Sequence, residues 1–282
     1  MSHIRRLILV GLFTGLSVSL SACQSLSPGQ SPDTSLTKEI HEIRPGILQG
    51  YLSKDELPDS LKLIAAPPEN ETTAFKLDQE IAKKYAALGH AEREQQAAID
   101  ADLSFPNATK TFNTVLDVQI TEKDTPHLYM VLRRSLADAG LSTYGAKNYY
   151  QRQRPFMVNG ATICTPQDEA VLREDGSYPS GHAAIGWAWA LILVEVFPEN
   201  SDEILQRGKQ FGVSRNVCNV HWHSDVVAGR MMGSAAIARL HANDVFQVDI
   251  RAAKDEVAAL RASSKQTLSE GVELYRPVIS TP

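Results

Sequence analysis

The sequence predicts an all-α protein, a single-domain helical bundle, on three observations. Strand-like alternation of apolar and polar residues is scarce throughout. Residues 182–197, HAAIGWAWALILVEVF, are apolar nearly all round, as a helix at the centre of a core must be. Other apolar residues recur at helical spacing between start and stop signals. Of 282 residues, 43% are apolar and 22% charged, a balance that excludes collagen-like, low-complexity and wholly disordered chains. The net charge of −5 leaves no basic footprint for nucleic acid. An anionic substrate must therefore be captured by a local cluster of cations.

The elements follow in chain order. Arg5 and Arg6 precede a short apolar run, Leu7 to Leu20, too short for a comfortable membrane span. Residues 1–22 read as a secretory signal peptide. Leu20-Ser21-Ala22-Cys23 resembles a bacterial lipobox, which implies a lipid on Cys23; plain cleavage after Ala22 is the alternative. Gln24 then favours anchoring to the outer membrane, on the periplasmic side. Removing the signal leaves Cys164 and Cys218 as the other cysteines, and in an oxidising compartment they form one disulfide or remain two buried thiols. Residues 23–44, with Ser, Pro, Gln and Gly concentrated between Ser25 and Asp33, read as a flexible tether to a domain over 45–272.

Gly50 to Asn70, with Pro58, Pro67 and Pro68, reads as irregular. Phe75, Leu77, Ile81, Tyr85 and Leu88 are spaced as on a helix. Pro126 opens another helix with Leu128, Val131, Leu132 and Leu136 on one face, and Gly140 is its expected stop. Asn200 with Glu203 is a capping-box start for the helix after the apolar one. Residues 221–241 mix Val226, Val227, Met231, Met232, Ile237 and Leu240 with small residues, which suits close helix packing. A last helix is expected over Arg251 to Leu268.

Three segments carry chemistry. The first is Lys147, then Arg154-Pro155; the second is Pro179-Ser180-Gly181-His182; the third is Ser214-Arg215, then His221 and Asp225. One ammonium and two forked guanidinium groups suit a tetrahedral oxyanion. Ser180 and Gly181 stand where the apolar helix begins, and free N–H groups there favour an anion. His221 and Asp225 are four apart, so on a helix the carboxylate holds one ring nitrogen and frees the other to attack. His182 is then available as the acid for a leaving group.

Together these segments resemble the signature of the acid-phosphatase superfamily that includes type 2 phosphatidic acid phosphatases and vanadium haloperoxidases. The string Gly176-Ser177-Tyr178-Pro179-Ser180-Gly181-His182 is closest to the class A bacterial non-specific acid phosphatases. Ser60 to Ile64 before Pro67-Pro68, Ile120 to Asp124, and the Cys164 and Cys218 pair agree with that family, over about residues 45 to 245. The resemblance implies the helical fold of that type, possible homodimers, and an exported enzyme acting on small phosphomonoesters of broad specificity. In it, Lys147, Arg154, Arg215, Ser180 and Gly181 bind the phosphate. His221 forms a phosphohistidine, Asp225 orients it, and His182 protonates the leaving alcohol, with neither metal nor other cofactor. An acidic to mildly acidic optimum follows. Ala183 departs from the threonine common at that position, and the lipobox departs from members that are free in the periplasm.

Other readings of these residues stand beside it. His221, His223 and Asp225 offer metal-ligand atoms, although on one helix the two histidines point apart. A vanadate oxidase uses nearly the same oxyanion cage. A binding protein needs the cations but no nucleophile. Tyr149, Tyr150 and Phe156 flank the cationic segment and could line its mouth.

Overall fold

The computed structural model describes residues 34–273, with side chains described up to residue 264. The expected signal peptide, Cys23 and the first half of the expected tether, residues 23–33, lie outside the described residues. From Thr34 onward, the stretch expected to be tether is part of the domain. Thr34 and Ser35 are buried, and the Ser35 amide donates to Asp249 at 2.8 Å.

A short antiparallel hairpin follows, β1 (Glu42–Arg44) with β2 (Ile47–Leu48). The rest of the described fold is helical: α1 (Ser60–Leu63), α2 (Thr73–Ala86), α3 (Ala91–Ile99), α4 (Asn107–Asn113), α5 (Pro126–Leu141), α6 (Tyr144–Tyr150) and α7 (Pro155–Asn159). After them come α8 (Glu169–Glu174), α9 (Gly181–Val196), α10 (Ser201–Val217), α11 (His223–Leu240) and α12 (Asp244–Glu273). The all-α expectation is borne out.

Helix α9 is the apolar segment of the sequence, and it packs against α5, α10 and α11. It runs 16 residues, and no helix among the described residues is long and apolar enough to cross a membrane. Trp189, Leu193 and Ala190 on it are completely buried, each large one contributing about 1.5–3 kcal/mol through lost water contact. The Trp189 indole N–H donates to the Leu132 carbonyl at 3.0 Å, so its polar atom is not stranded in the core.

The small residues of α11 do what their spacing suggested. A methyl group on Gly229 would sit 2.4 Å from the Ser180 carbonyl, and one on Gly233 would sit 2.4 Å from that of Ala184. The two glycines, one turn apart, let α11 lie directly on the backbone of α9 at its N-terminal end. Cys164 and Cys218, 54 positions apart, are joined and tie the chain before α8 to the end of α10.

One start signal works differently from expectation. Asn200 makes no side-chain cap to α10, because the tight turn Pro198–Asn200 already leads the chain into the helix. Pro126 opens α5 as expected, and the Glu256 carboxylate from α12 accepts from the His127 and Leu128 amides at 3.0 and 3.1 Å. Gly140 does not stop α5, which runs on to Leu141.

Candidate active site

The fold brings all eight residues proposed for catalysis and phosphate binding to one place, at the N-terminal end of α9. Lys147 comes from the last turn of α6, Arg154 from the junction with α7, and Arg215 from the end of α10. His221 and Asp225 come from the α10–α11 turn and its sequel. A pocket of about 230 Å³ reaches Lys147, Arg154, Gly181, His182 and His221 from solvent.

Contact between His221 and Asp225 arises otherwise than the helical spacing implied. His221 precedes α11, in a turn where Asn219 takes a left-handed conformation (φ 59°). The Val220 and His221 amides both donate to the Arg215 carbonyl, at 3.2 and 3.3 Å, which closes that turn. Asp225, in the first turn of α11, folds back to accept from the Trp222 amide at 2.8 Å. Its Oδ2 then lies 3.4 Å from His221 Nδ1.

The other ring nitrogen, Nε2, lies 3.1 Å from Arg154 Nη1. A guanidinium can only donate, so Nε2 carries the lone pair and Nδ1 the proton. Burial pushes the His221 ring well below its ordinary range, and the charges of Arg154, Lys147 and Arg215 push it further. It is neutral, with its basic nitrogen turned toward the cations.

His182, in the first turn of α9, places Nε2 3.0 Å from the Ala101 carbonyl. That carbonyl accepts a hydrogen bond from Nε2–H, which leaves Nδ1 as the nitrogen that can gain a proton. Burial, then the Arg215 charge, lowers this ring well below its ordinary range, with the Ala101 carbonyl pulling the other way.

The cations are buried and closely spaced. Burial lowers Lys147 to about 8, against the pull of Asp175. Burial and the Arg154 charge lower Arg215 to about 10, and its Nε and Nη1 have no hydrogen-bond partner. Buried donors left bare are costly unless a ligand meets them. Ser180 caps α9 by accepting from the Ala183 amide at 3.3 Å. An added methyl on Gly181 would meet Thr143 Oγ1 at 3.7 Å, an ordinary contact.

Several residues to which the sequence reading assigned no role hold this group in place. Asp175 lies 3.3 Å from Lys147 Nζ and 3.1 Å from Arg154 Nη2. The Gly176 carbonyl accepts from Lys147 at 2.6 Å; a side chain there would strike the Lys147 carbonyl at 2.8 Å. Arg152 donates to Asp225 Oδ1 at 2.5 Å and to Asp78 at 2.8 Å, and Asp78 also accepts from the Ser224 amide at 2.8 Å. Asp78 is the buried residue of α2, whereas Leu77 beside it is 55% exposed. The only available signal was Arg152 inside the cationic segment.

Flanking residues divide. Tyr149 is exposed, Phe156 is buried beside Ile163 and Cys218, and Tyr150 lines a separate concavity with Phe75 and Trp222 that contains none of the eight residues. His223 lines a groove with Leu77 and Val227, apart from His221.

Fold and site together define a helical protein built around a buried oxyanion cradle with two histidines. Residues 128–246 match the family model described as the PAP2 superfamily. The chain is 42% identical over 248 residues to a non-specific acid phosphatase of Providencia stuartii, covering 88% of this chain and 96% of that one. It is 40% identical over 211 residues to a non-specific acid phosphatase of Salmonella typhimurium (74% and 84%), and 37% identical over 206 residues to an acid phosphatase of Zymomonas mobilis (73% and 78%). A transmembrane PAP2 type phosphatidylglycerolphosphate phosphatase from Bacillus subtilis superposes with a TM-score of 0.42 at 16% identity, over 60% of this chain and 85% of that one. The chain belongs to the PAP2 superfamily and, within it, to the non-specific acid phosphatases.

Proposed function

We propose that this protein hydrolyses small phosphomonoesters of broad range through a phosphohistidine, without a metal. The observation that carries this reading is the pairing of a neutral His221, its Nε2 lone pair among the cations, with an Arg215 whose Nε and Nη1 are bare. The phosphoryl oxygens supply the acceptors that Arg215 lacks, and Lys147, Arg154, Ser180 and the Gly181 amide at the helix start complete the cradle around them. Arg154 turns from His221 Nε2 to a phosphoryl oxygen. Nε2 then attacks phosphorus, the bond to the leaving oxygen breaks, and His182 gives that oxygen its proton. In the second half, water attacks phosphorus, His182 takes a proton from the water, and the phosphorus–nitrogen bond breaks to release phosphate. Asp225 keeps the proton of His221 on Nδ1 and stabilises the ring as it becomes positive. The fixed cations meet the charge spread over the phosphoryl oxygens throughout.

We propose also that the protein is exported to the periplasm and held at the outer membrane by a lipid on Cys23. The charged and apolar runs before Leu20-Ser21-Ala22-Cys23 support this. Labelled fatty acid should enter the wild-type protein and not Cys23→Ser; equal labelling of both would exclude it.

The enzymatic reading is tested with p-nitrophenyl phosphate from acid to alkaline pH in EDTA, for wild type and His221→Ala. Hydrolysis at acid pH that is lost in the variant is the expected result. Activity that disappears in EDTA and returns with zinc would replace it by a metal mechanism.

A further inference from the structure

The pocket above the cradle has two unlike ends. Its floor is cationic, but its walls are Leu103, Leu136, Leu141, Tyr144 and Ile185, with one further wall contributed from far away in sequence. That wall is the hairpin of β1 and β2, which presents Ile43 and Ile47 to the pocket. Ile47 packs on the main core, whereas Ile43 is 45% exposed. A β-branched apolar side chain left half in water at the mouth of a site is surface that a bound molecule can cover. Arg44 stands at the same rim, where its charge draws an incoming phosphate without taking up apolar space.

This wall is built rigidly. Pro45 and Gly46 make the turn, and Gly46 has φ +77°, a conformation that glycine adopts without strain. Ahead of the hairpin, the Ser35 amide is fixed to Asp249; behind it, the Tyr51 and Leu52 amides donate to Asp138 at 2.9 and 3.0 Å. Arg134 donates to the Gly50 carbonyl at 2.7 Å and lies 3.8 Å over the Tyr51 ring. A wall already in position loses little freedom when a ligand lies against it.

We propose that this hairpin reads the leaving group, and that the preferred substrates are phosphomonoesters of small apolar or aromatic alcohols over those of polyols. The proposal rests on the phosphatase reading above. A single ring or short alkyl chain gains contact with Ile43, Leu141 and Ile185. A polyol brings hydroxyl groups to the same surfaces, where they lose water and find no partner. The site takes both, and discriminates through binding of the leaving group.

The test compares 2-phenylethyl phosphate with glycerol 3-phosphate, both esters of primary alcohols, so that leaving ability does not decide the result. Wild type should favour the phenylethyl ester by about 10–100-fold in kcat/KM, mostly through KM. Ile43→Ser should narrow that ratio about tenfold, and Ile43→Leu should preserve it. Ile43 is half exposed, so neither change threatens folding. Equal kcat/KM for the two esters in wild type, or an unchanged ratio in Ile43→Ser, would overturn the proposal alone. Hydrolysis of neither ester would overturn the phosphatase reading and this one with it.

Discussion

At the scale of single residues, the site is a set of groups whose charges are held away from their ordinary values. His221 is lowered and therefore stays neutral to low pH, so the nucleophile needs no deprotonation. His182 is lowered too, first by burial and then by Arg215. In the empty site it is uncharged near neutrality, and the protonated fraction grows as pH falls. A bound phosphate neutralises Arg215 and restores part of that proton affinity, and a monoanionic ester, present below about pH 6, brings a proton of its own. The need for a protonated His182 and the supply of monoanionic ester both favour acid pH. Lys147 adds an alkaline limit, because it loses its charge as pH rises through about 8. Inhibition by inorganic phosphate should therefore weaken above that pH, on top of a rate that has already fallen. Measuring the inhibition constant between pH 5 and 9 checks this, and a constant that is flat across pH 8 would mean that Lys147 does not carry the charge in the cradle.

At the scale of elements, the parts read from the sequence were those whose signal is local. The apolar run marked α9, Pro126 marked the start of α5, and three short segments marked the cradle. What was not legible is what depends on partners distant in the chain. Asp78 looks like a polar residue on an amphipathic helix, yet it is buried against Arg152 and Ser224. Asp175 shows its use only once Lys147 and Arg154 are seen to converge on it. His221 and Asp225 do meet, but through a tight turn and a helix start, which spacing alone cannot distinguish from a continuous helix. The capping of α5 by Glu256 belongs to the same group, since its carboxylate arrives from α12 across 128 residues. Glu256→Ala leaves the first N–H groups of α5 without that acceptor and should cost about 1–2 kcal/mol. Thermal unfolding measures the loss. Because Glu256 lies far from the cradle, kcat should not change; a drop in kcat without loss of stability would show that α5 transmits more to the site than its position.

At the scale of the whole molecule, the closely packed core holds a site that the folded chain stabilises poorly by itself. Gly229 and Gly233 bring α11 onto the α9 backbone, and the Cys164–Cys218 link ties the end of α10. That rigidity keeps Lys147, Arg154 and Arg215 together, although their charges repel and two Arg215 nitrogens are bare. Inorganic phosphate binds only the folded state and supplies the missing acceptors. It should raise Tm, by the equivalent of about 2.7 kcal/mol at a hundred times its dissociation constant. Arg215→Met removes the strained charge while filling the same space with an apolar chain. Such replacements of buried charges are often stabilising by about 1–4 kcal/mol, so the variant should unfold at a higher temperature than wild type without phosphate. It should also lose most of the phosphate-induced rise, together with catalysis. The two effects separate the possible roles of Arg215: a purely structural arginine would make the variant less stable and leave the phosphate response intact. A higher baseline with no phosphate response is what a cradle held under electrostatic strain requires.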